Sequence, residues 1–241
     1  MGLIYQGQFE FPQKRFYWCL SDNYNFLGMP DLNDQHPDLI NCAKDFIIGE
    51  PNKNLSPKQE GGEEEAAPEQ EEGEEGEEKA ANSEESEPEE IKVESKDLIE
   101  LDRVNYIVHA IENDCQIAPV GAYKMTSEHQ VRRNEAFKGL NSDNSLALSS
   151  YQHFRNVQTK EKKELLDQPG IAFDSNFLES IDADKPSKCW SFQHDMQVKT
   201  VLGRSLLWPG FNFYHALGTK KFGSIYIGDG MKNLELQFMT Q

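Results

Sequence analysis

Six side chains could move a proton near neutral pH or ligate a metal: His36, His109, His129, His153, His194 and His215. No two stand four residues apart, and no H-E-x-x-H run occurs, so a metal pair carried by one helix is not expected. A working histidine needs an orienting partner. The sequence supplies none beside these six, so structural or surface roles are expected for them. Cys19, Cys42, Cys115 and Cys189 include no C-x-x-C pair, and their spacing fits neither a zinc site nor a dense disulfide framework. Apolar neighbours such as Trp18, Ile117 and Trp190 predict reduced, partly buried thiols in a cytosolic compartment. There is no G-x-S-x-G elbow, no phosphate-binding loop and no dinucleotide fingerprint. Gly228-Asp229-Gly230 sits between two apolar runs rather than opening a helix, and reads as a hairpin turn. No EF-hand pattern is present, and nothing in the Asp and Glu spacing favours glycoside chemistry. The expectation is a protein without catalytic residues, cofactor or metal, and therefore not an enzyme.

Charge carries the next signal. Of the formal net charge of −18, residues 60–90 hold −15, from 16 Glu and one Lys, which leaves −3 for the rest. A nearly neutral body bearing an acidic tract argues against nucleic acid or an anionic membrane as partner, because both select concentrated Lys and Arg. The Glu, Gly, Ala and Pro composition around 54–92 offers too little apolar surface to offset chain entropy and predicts a disordered linker. A flexible segment of about forty residues spans roughly 35 Å r.m.s.. No run of 18 apolar residues predicts a transmembrane helix, and the N-terminus lacks a secretory pattern. Gln6 occupies the position where a myristoylation motif needs Ser or Thr.

Elements can be placed around these features. Three sections follow: an aromatic-rich strand section over 1–53, the linker over 54–92, and a main domain over 93–241. Phe16 to Leu20 reads as a strand followed by turn chemistry at Asp22-Asn23, and Asp38 to Phe46 as a short helix or turn. Leu101, Val104, Val108 and Ile111, widened by Leu98 and Ile107, predict an amphipathic helix starting at Asp97 with a capping box to Glu100 and closing at Asn113-Asp114. Gln116 to Met125 should be extended and bent at Pro119 and Gly121. Ser142 or Asp143 can cap a helix through Ser150, and Thr159 a short helix to Leu166 ended by Pro169-Gly170.

Five strands are then expected in the C-terminal part. Trp190/Phe192, Val198/Thr200/Leu202, Phe211/Phe213, Phe222 to Ile227, and Leu234/Leu236/Phe238 alternate or run apolar between turn residues. The fold class is α+β: an antiparallel meander covered by a few helices and interrupted by the acidic insertion. Trp208-Pro209-Gly210 combines an extended residue before Pro with a Pro-Gly turn, and its indole either folds back on the sheet or meets a partner. Trp208, Phe211, Phe213, Tyr214, Tyr226 and Phe238 form the candidate partner interface, since large aromatics dominate both cores and binding hot spots.

Several motifs stand in one order: Ile117-Ala118-Pro119-Val120-Gly121-Ala122, Phe137-Lys138-Gly139-Leu140, Leu148 to Arg155, Trp190-Ser191, and Arg204-Ser205-Leu206-Leu207-Trp208-Pro209-Gly210 with the strands after it. Together the chain resembles the radial spoke head protein 9 family of motile cilia. The resemblance implies a non-catalytic structural subunit of the radial spoke head in the ciliary axoneme. It further implies packing against the larger head subunits, an indirect relation to the central-pair projections, and a part in mechanical regulation of beating. The acidic tract is longer and richer in Glu than the usual connection in that family. Read from the tract alone, a soluble acidic chaperone binding basic partners is the alternative.

Overall fold

The computed structural model describes residues 10–12, 14–22, 24–30, 32, 45–55, 98–166 and 176–239. The expected linker lies outside these residues except for Asn54 and Leu55, as do Cys42, His36, Asp97 and Pro169-Gly170. The aromatic run near the N-terminus gives a two-residue strand, β1 (Tyr17–Trp18), paired antiparallel with β2 (Leu27–Gly28). This small hairpin leans on the first helix through Phe16, whose ring meets His109 edge-on at 4.9 Å.

That helix, α1, spans Glu100–Cys115. Its described start is Ile99, whose N–H meets the Asp102 carboxylate at 3.4 Å. The fully buried ridge is not the expected apolar stripe: Leu101, Val104 and Val108 are half-buried, and Glu100, Arg103, Ile107, Ile111 and Cys115 lie innermost. The ridge is displaced by one residue because the two charges neutralise each other. Arg103 Nη2 donates to Glu100 Oε1 at 2.6 Å and to the Phe46 carbonyl at 2.6 Å, while Ile48 N donates to Glu100 Oε1 at 2.8 Å. A charge buried with its partner and hydrogen bonds can occupy a core position that hydropathy assigns elsewhere.

After α1 the chain runs extended as expected, in β3 (Ile117–Pro119) and β4 (Tyr123–Met125), then returns in β5 (Val131–Arg133) beside β4. The helix expected from Ser142 to Ser150 is replaced by two separate 3-10 turns, Ser142–Asn144 and Leu148–Ser150. Hydroxyls take the carbonyls: Ser145 Oγ donates to Ser142 O, Ser150 Oγ to Asn144 O, and the buried Tyr151 hydroxyl to Ser145 O, each at 2.7 Å. Such local side-chain bonds compete with a continuous helix. The chain then enters β6 (Tyr151–His153), which pairs antiparallel with β3. Helix α2 (Lys160–Leu166) begins after Thr159, whose carbonyl accepts the Lys163 N–H at 3.1 Å.

The principal sheet is a four-stranded antiparallel meander, in the order β7 (Trp190–Asp195), β8 (Thr200–Ser205), β9 (Phe211–Ala216), β10 (Phe222–Tyr226). The fold is α+β, with four strands rather than five. Leu234 to Phe238 alternates in sequence, but its last part is a helical turn, α3 (Leu236–Met239), with Leu236 buried and Leu234 and Phe238 exposed. The Asn233 side-chain oxygen accepts the Glu235 N–H, and Asn233 N bonds to the Leu207 carbonyl at 2.8 Å, which ties the segment to the β8–β9 connection instead of a sheet edge. One core joins α1 to the inner sheet face through Ile107, Ile111, Val201, Trp208, Phe211 and Phe213. A second, around Val131, Phe154, Val157, Leu166, Phe177 and Leu178, sits under β4 and α2.

Candidate interface and polar cleft

A cleft of about 860 Å³ opens between the end of α1, β6, α2 and the segment before β7. Its polar groups are engaged with one another. Asp114 accepts from Trp208 Nε1 at 3.0 Å and Lys232 Nζ at 2.8 Å, and faces Arg155 at 3.9 Å. Burial opposes its ionisation, but these donors outweigh burial and hold the carboxyl below its ordinary range. Glu179 accepts the backbone N–H groups of Thr159 at 2.6 Å and Gln158 at 2.9 Å ahead of α2. Against burial, those bonds hold it low as well. Asp184 spans His153 Nε2 at 2.7 Å and Trp190 Nε1 at 2.9 Å.

The two buried thiols, Cys115 and Cys189, are poor nucleophiles. Burial pushes Cys189 up to about 12, assisted by the Asp184 charge. Burial likewise pushes Cys115 up to about 12, against the Ser205 hydroxyl that its Sγ meets at 3.4 Å. Both stay protonated at neutral pH, and the thiolate is the reactive form. Among the described residues no group of three His, Cys, Asp or Glu is placed to hold a metal, and no helix is long and apolar enough to cross a membrane. His215 is fully buried within β9. Its Nε2 accepts the Leu140 N–H at 3.1 Å, and the other ring nitrogen faces the Lys221 carbonyl at 3.3 Å. Burial lowers its pKa more than that carbonyl raises it. A neutral ring acting as an acceptor is the form that fits the Leu140 bond.

The motifs along the chain meet in space. Ile117 and Pro119 in β3 pair with His153 and Tyr151 in β6. Phe137 to Leu140 docks on the β9–β10 turn through His215 and through Gly218 N, which donates to the Leu140 carbonyl at 3.1 Å. Gly139 sits there at φ 94 with the Thr219 backbone where a Cβ would be. The Ser205 hydroxyl accepts the Trp208 N–H at 3.3 Å, and the Trp208 indole closes on α1 at Asp114. Gly210 follows at φ 99 against the Ile227 carbonyl, a position closed to any side chain.

The six aromatics singled out from the sequence divide into three buried, one half-buried and two exposed. Trp208, Phe211 and Phe213 are at most 4% exposed and belong to this chain's own core: Phe211 and Phe213 because the odd positions of β9 face inward, Trp208 because its indole closes on α1 at Asp114. Tyr226 is half-buried, and its hydroxyl accepts the Gly230 N–H at 2.9 Å. Tyr214 and Phe238 remain at the surface. Tyr214 lies on the outer sheet face, its ring across Gly223 of β10, with Leu202 directly opposite on β8. Exposed Ile225 completes an apolar patch there with Leu202 and Tyr214. Alternation along each strand marks both residues as outward, but only the sheet order brings Leu202 and Ile225 to either side of Tyr214. A second exposed group, Tyr17, Tyr24, Phe26 and Leu27, lies on the β1–β2 hairpin. The aromatic composition of that stretch was visible in the sequence; its exposure was not.

A family model described as "Radial spokehead-like protein" matches residues 52–241. Proteins named "Radial spoke head protein 9 homolog" from Bos taurus and Homo sapiens are each 38% identical over 151 residues, covering 63% of this chain and 54% of theirs. The Mus musculus protein of that name is 39% identical over the same length, with the same coverage. The chain thus spans about half the length of the curated relatives it matches.

Proposed function

Because the chain belongs to the radial spokehead-like protein family, we propose that it is a non-catalytic structural subunit of the radial spoke head in the axoneme of motile cilia. One observation carries this reading. Three of the stretches that resemble that family, residues 117–122, 148–155 and 204–210, lie in or beside the β3–β6 pair and the β8–β9 turn, where Trp208 bonds to both Ser205 and, on α1, Asp114. Those residues tie the sheet to the end of α1, and the Cys189 thiol in the cleft stays protonated. A subunit that carries load between a stalk and the structures it touches requires such ties together with surfaces for neighbours.

The neighbours in this reading are the larger spoke-head subunits, seated on the outer face of the β7–β10 sheet around Leu202, Tyr214 and Ile225 and on Phe238. Obligate contacts are larger and more apolar than transient ones, so the isolated chain should associate or precipitate at micromolar concentration. Contact with the central-pair projections is indirect, and mechanical regulation of beating follows from the head holding its shape. The test is biochemical. In axonemes from cells expressing a tagged chain, the tag should fractionate with spoke heads and vanish from axonemes that lack them. A tag found only in the soluble pool, or a stable monodisperse monomer that binds no head subunit, would count against the proposal.

A further inference from the structure

The described residues carry equal numbers of basic and acidic side chains, yet the charges are not evenly spread. Elsewhere in the fold Lys14 pairs with Glu112, Arg103 with Glu100, and Lys232 with Asp114. Six exposed cations at one end make no ion pair among the described residues: Lys124, Arg132, Arg133, Lys138, Lys220 and Lys221. Two elements bring them together. The β4–β5 hairpin carries the first three, and the 134–140 loop packs on the β9–β10 turn that carries Lys220 and Lys221, with Lys220 Nζ donating to the Glu135 carbonyl. The carboxylates at this end are Glu10, which bridges to the hairpin at Gln130, and Glu128 and Glu135, three against six.

The hairpin register sharpens the point. Lys124 and Arg132 are direct cross-strand partners on one face of it, while Val131 and Arg133 alternate to the other, where Val131 is buried and Arg133 stays exposed at the strand end. Like charges directly opposite destabilise an antiparallel pair unless an anion lies between them. Arg132 donates to Gln130 Oε1 at 2.7 Å, and Gln130 Nε2 in turn donates to Glu10 Oε2 at 3.3 Å, so Glu10 meets Arg132 only through that amide and Lys124 makes no ion pair among the described residues.

We propose that this cationic surface is the docking site for the chain's own Glu-rich tract, residues 60–90. The tract carries −15, and both ends of the segment holding it are fixed where Leu55 and Leu98 meet, at the start of α1. The 16 residues of α1 cover about 24 Å of the distance toward β3 and the hairpin. Twenty residues from Leu55 to the middle of the tract can reach at most about 66 Å. Tethering gives the tract an effective concentration on the order of millimolar, which an acidic segment from another molecule must overcome. The segment therefore acts as an occupant in cis, screening these six cations.

Zero-length carbodiimide coupling of the full-length protein, read by mass spectrometry, tests this. Links from residues 60–90 should concentrate on Lys124, Lys138, Lys220 and Lys221, at least about fivefold over the exposed Lys160, Lys163, Lys188 and Lys199. They should fall to the same level at about 0.5 M salt, where the screening length is a few ångströms. Links spread evenly over all lysines overturn the proposal. In a second measurement, a synthetic 60–90 peptide should bind at least about tenfold more tightly to protein lacking residues 56–97 than to the full chain. Equal binding to both overturns occupancy in cis. So does binding by the full chain of a partner's acidic peptide, or of a DNA oligonucleotide, as tight as that of the deleted form.

Discussion

Leu55 donates its backbone N–H to the carbonyl of Leu98 at 2.7 Å, so the two residues that flank 56–97 are bonded to each other. Asn54 and Ile99 form an antiparallel bridge beside that bond, and Glu100 N returns to the Lys53 carbonyl at 2.9 Å. The segment before the tract and the helix after it are one packed unit, joined again by Ile48 and Phe46 at the Glu100–Arg103 pair.

This geometry predicts that residues 56–97 can be exchanged for a short Gly/Ser linker without loss of fold. Shortening a closed loop about sevenfold lowers the entropy cost of closure by roughly 1–2 kcal/mol, so stability should hold or rise. Urea unfolding of the two forms checks this, and a deleted form that cannot fold would contradict it.

The buried pair on α1 should be costly to break. Arg103→Ala leaves Glu100 charged and enclosed, and a loss of about 3–5 kcal/mol is expected. Replacing both residues with apolar side chains of similar volume should recover much of that loss. Chemical denaturation of the single and double variants gives the comparison.

The Trp208 indole closes the β8–β9 turn onto α1 through a charged acceptor. Trp208→Phe should therefore lose about 1.5–3 kcal/mol, the range for a hydrogen bond to an ionised group. Lys232→Met removes only an exposed partner of the same carboxylate and should cost much less. Equal losses would mean that the ion pair, not the indole, holds the junction.

His215 gives the fold a definable pH dependence. Its pKa in the folded state is lowered from 6.5, so the unfolded chain binds the proton more readily. Its contribution is present above pH 6.5 and is lost as pH falls through the lower folded value. Stability should decline with falling pH in that window, before the low-lying carboxyls Asp114 and Glu179 take up protons. His215→Gln should flatten the decline in a series of unfolding curves.

On the outer sheet face, Leu202→Glu and Ile225→Lys touch no core residue, and unfolding free energies should change by no more than about 0.5 kcal/mol. If neighbours sit there, both variants should lose co-assembly with spoke-head subunits in pull-down experiments. Undiminished assembly would move the interface elsewhere, with the β1–β2 aromatics next in line.

The antiparallel sheet was legible because its signals are local: period-two alternation in Phe211 to Tyr214, and turn residues at Pro209-Gly210 and Gly218. The family resemblance rests on contiguous motifs for the same reason. Three features were not legible, and each turns on which backbone groups particular residues satisfy. Leu234 to Phe238 alternates like a strand, yet Asn233 binds the Leu207 carbonyl and turns the chain into α3. The hydroxyls of Ser145 and Ser150 divert the helix expected from Ser142 to Ser150 into 3-10 turns. Glu100 and Arg103 lie deeper than Val104 and Val108 because Phe46 and Ile48, more than fifty residues earlier, supply their remaining bonds. The interface aromatics divide on the same principle. Alternation states that Phe213 and Tyr214 face opposite ways, but only the placement of α1 decides which face is core. Local pattern therefore determined what each segment can form, and tertiary contacts decided which polar groups were satisfied and so which positions could be buried.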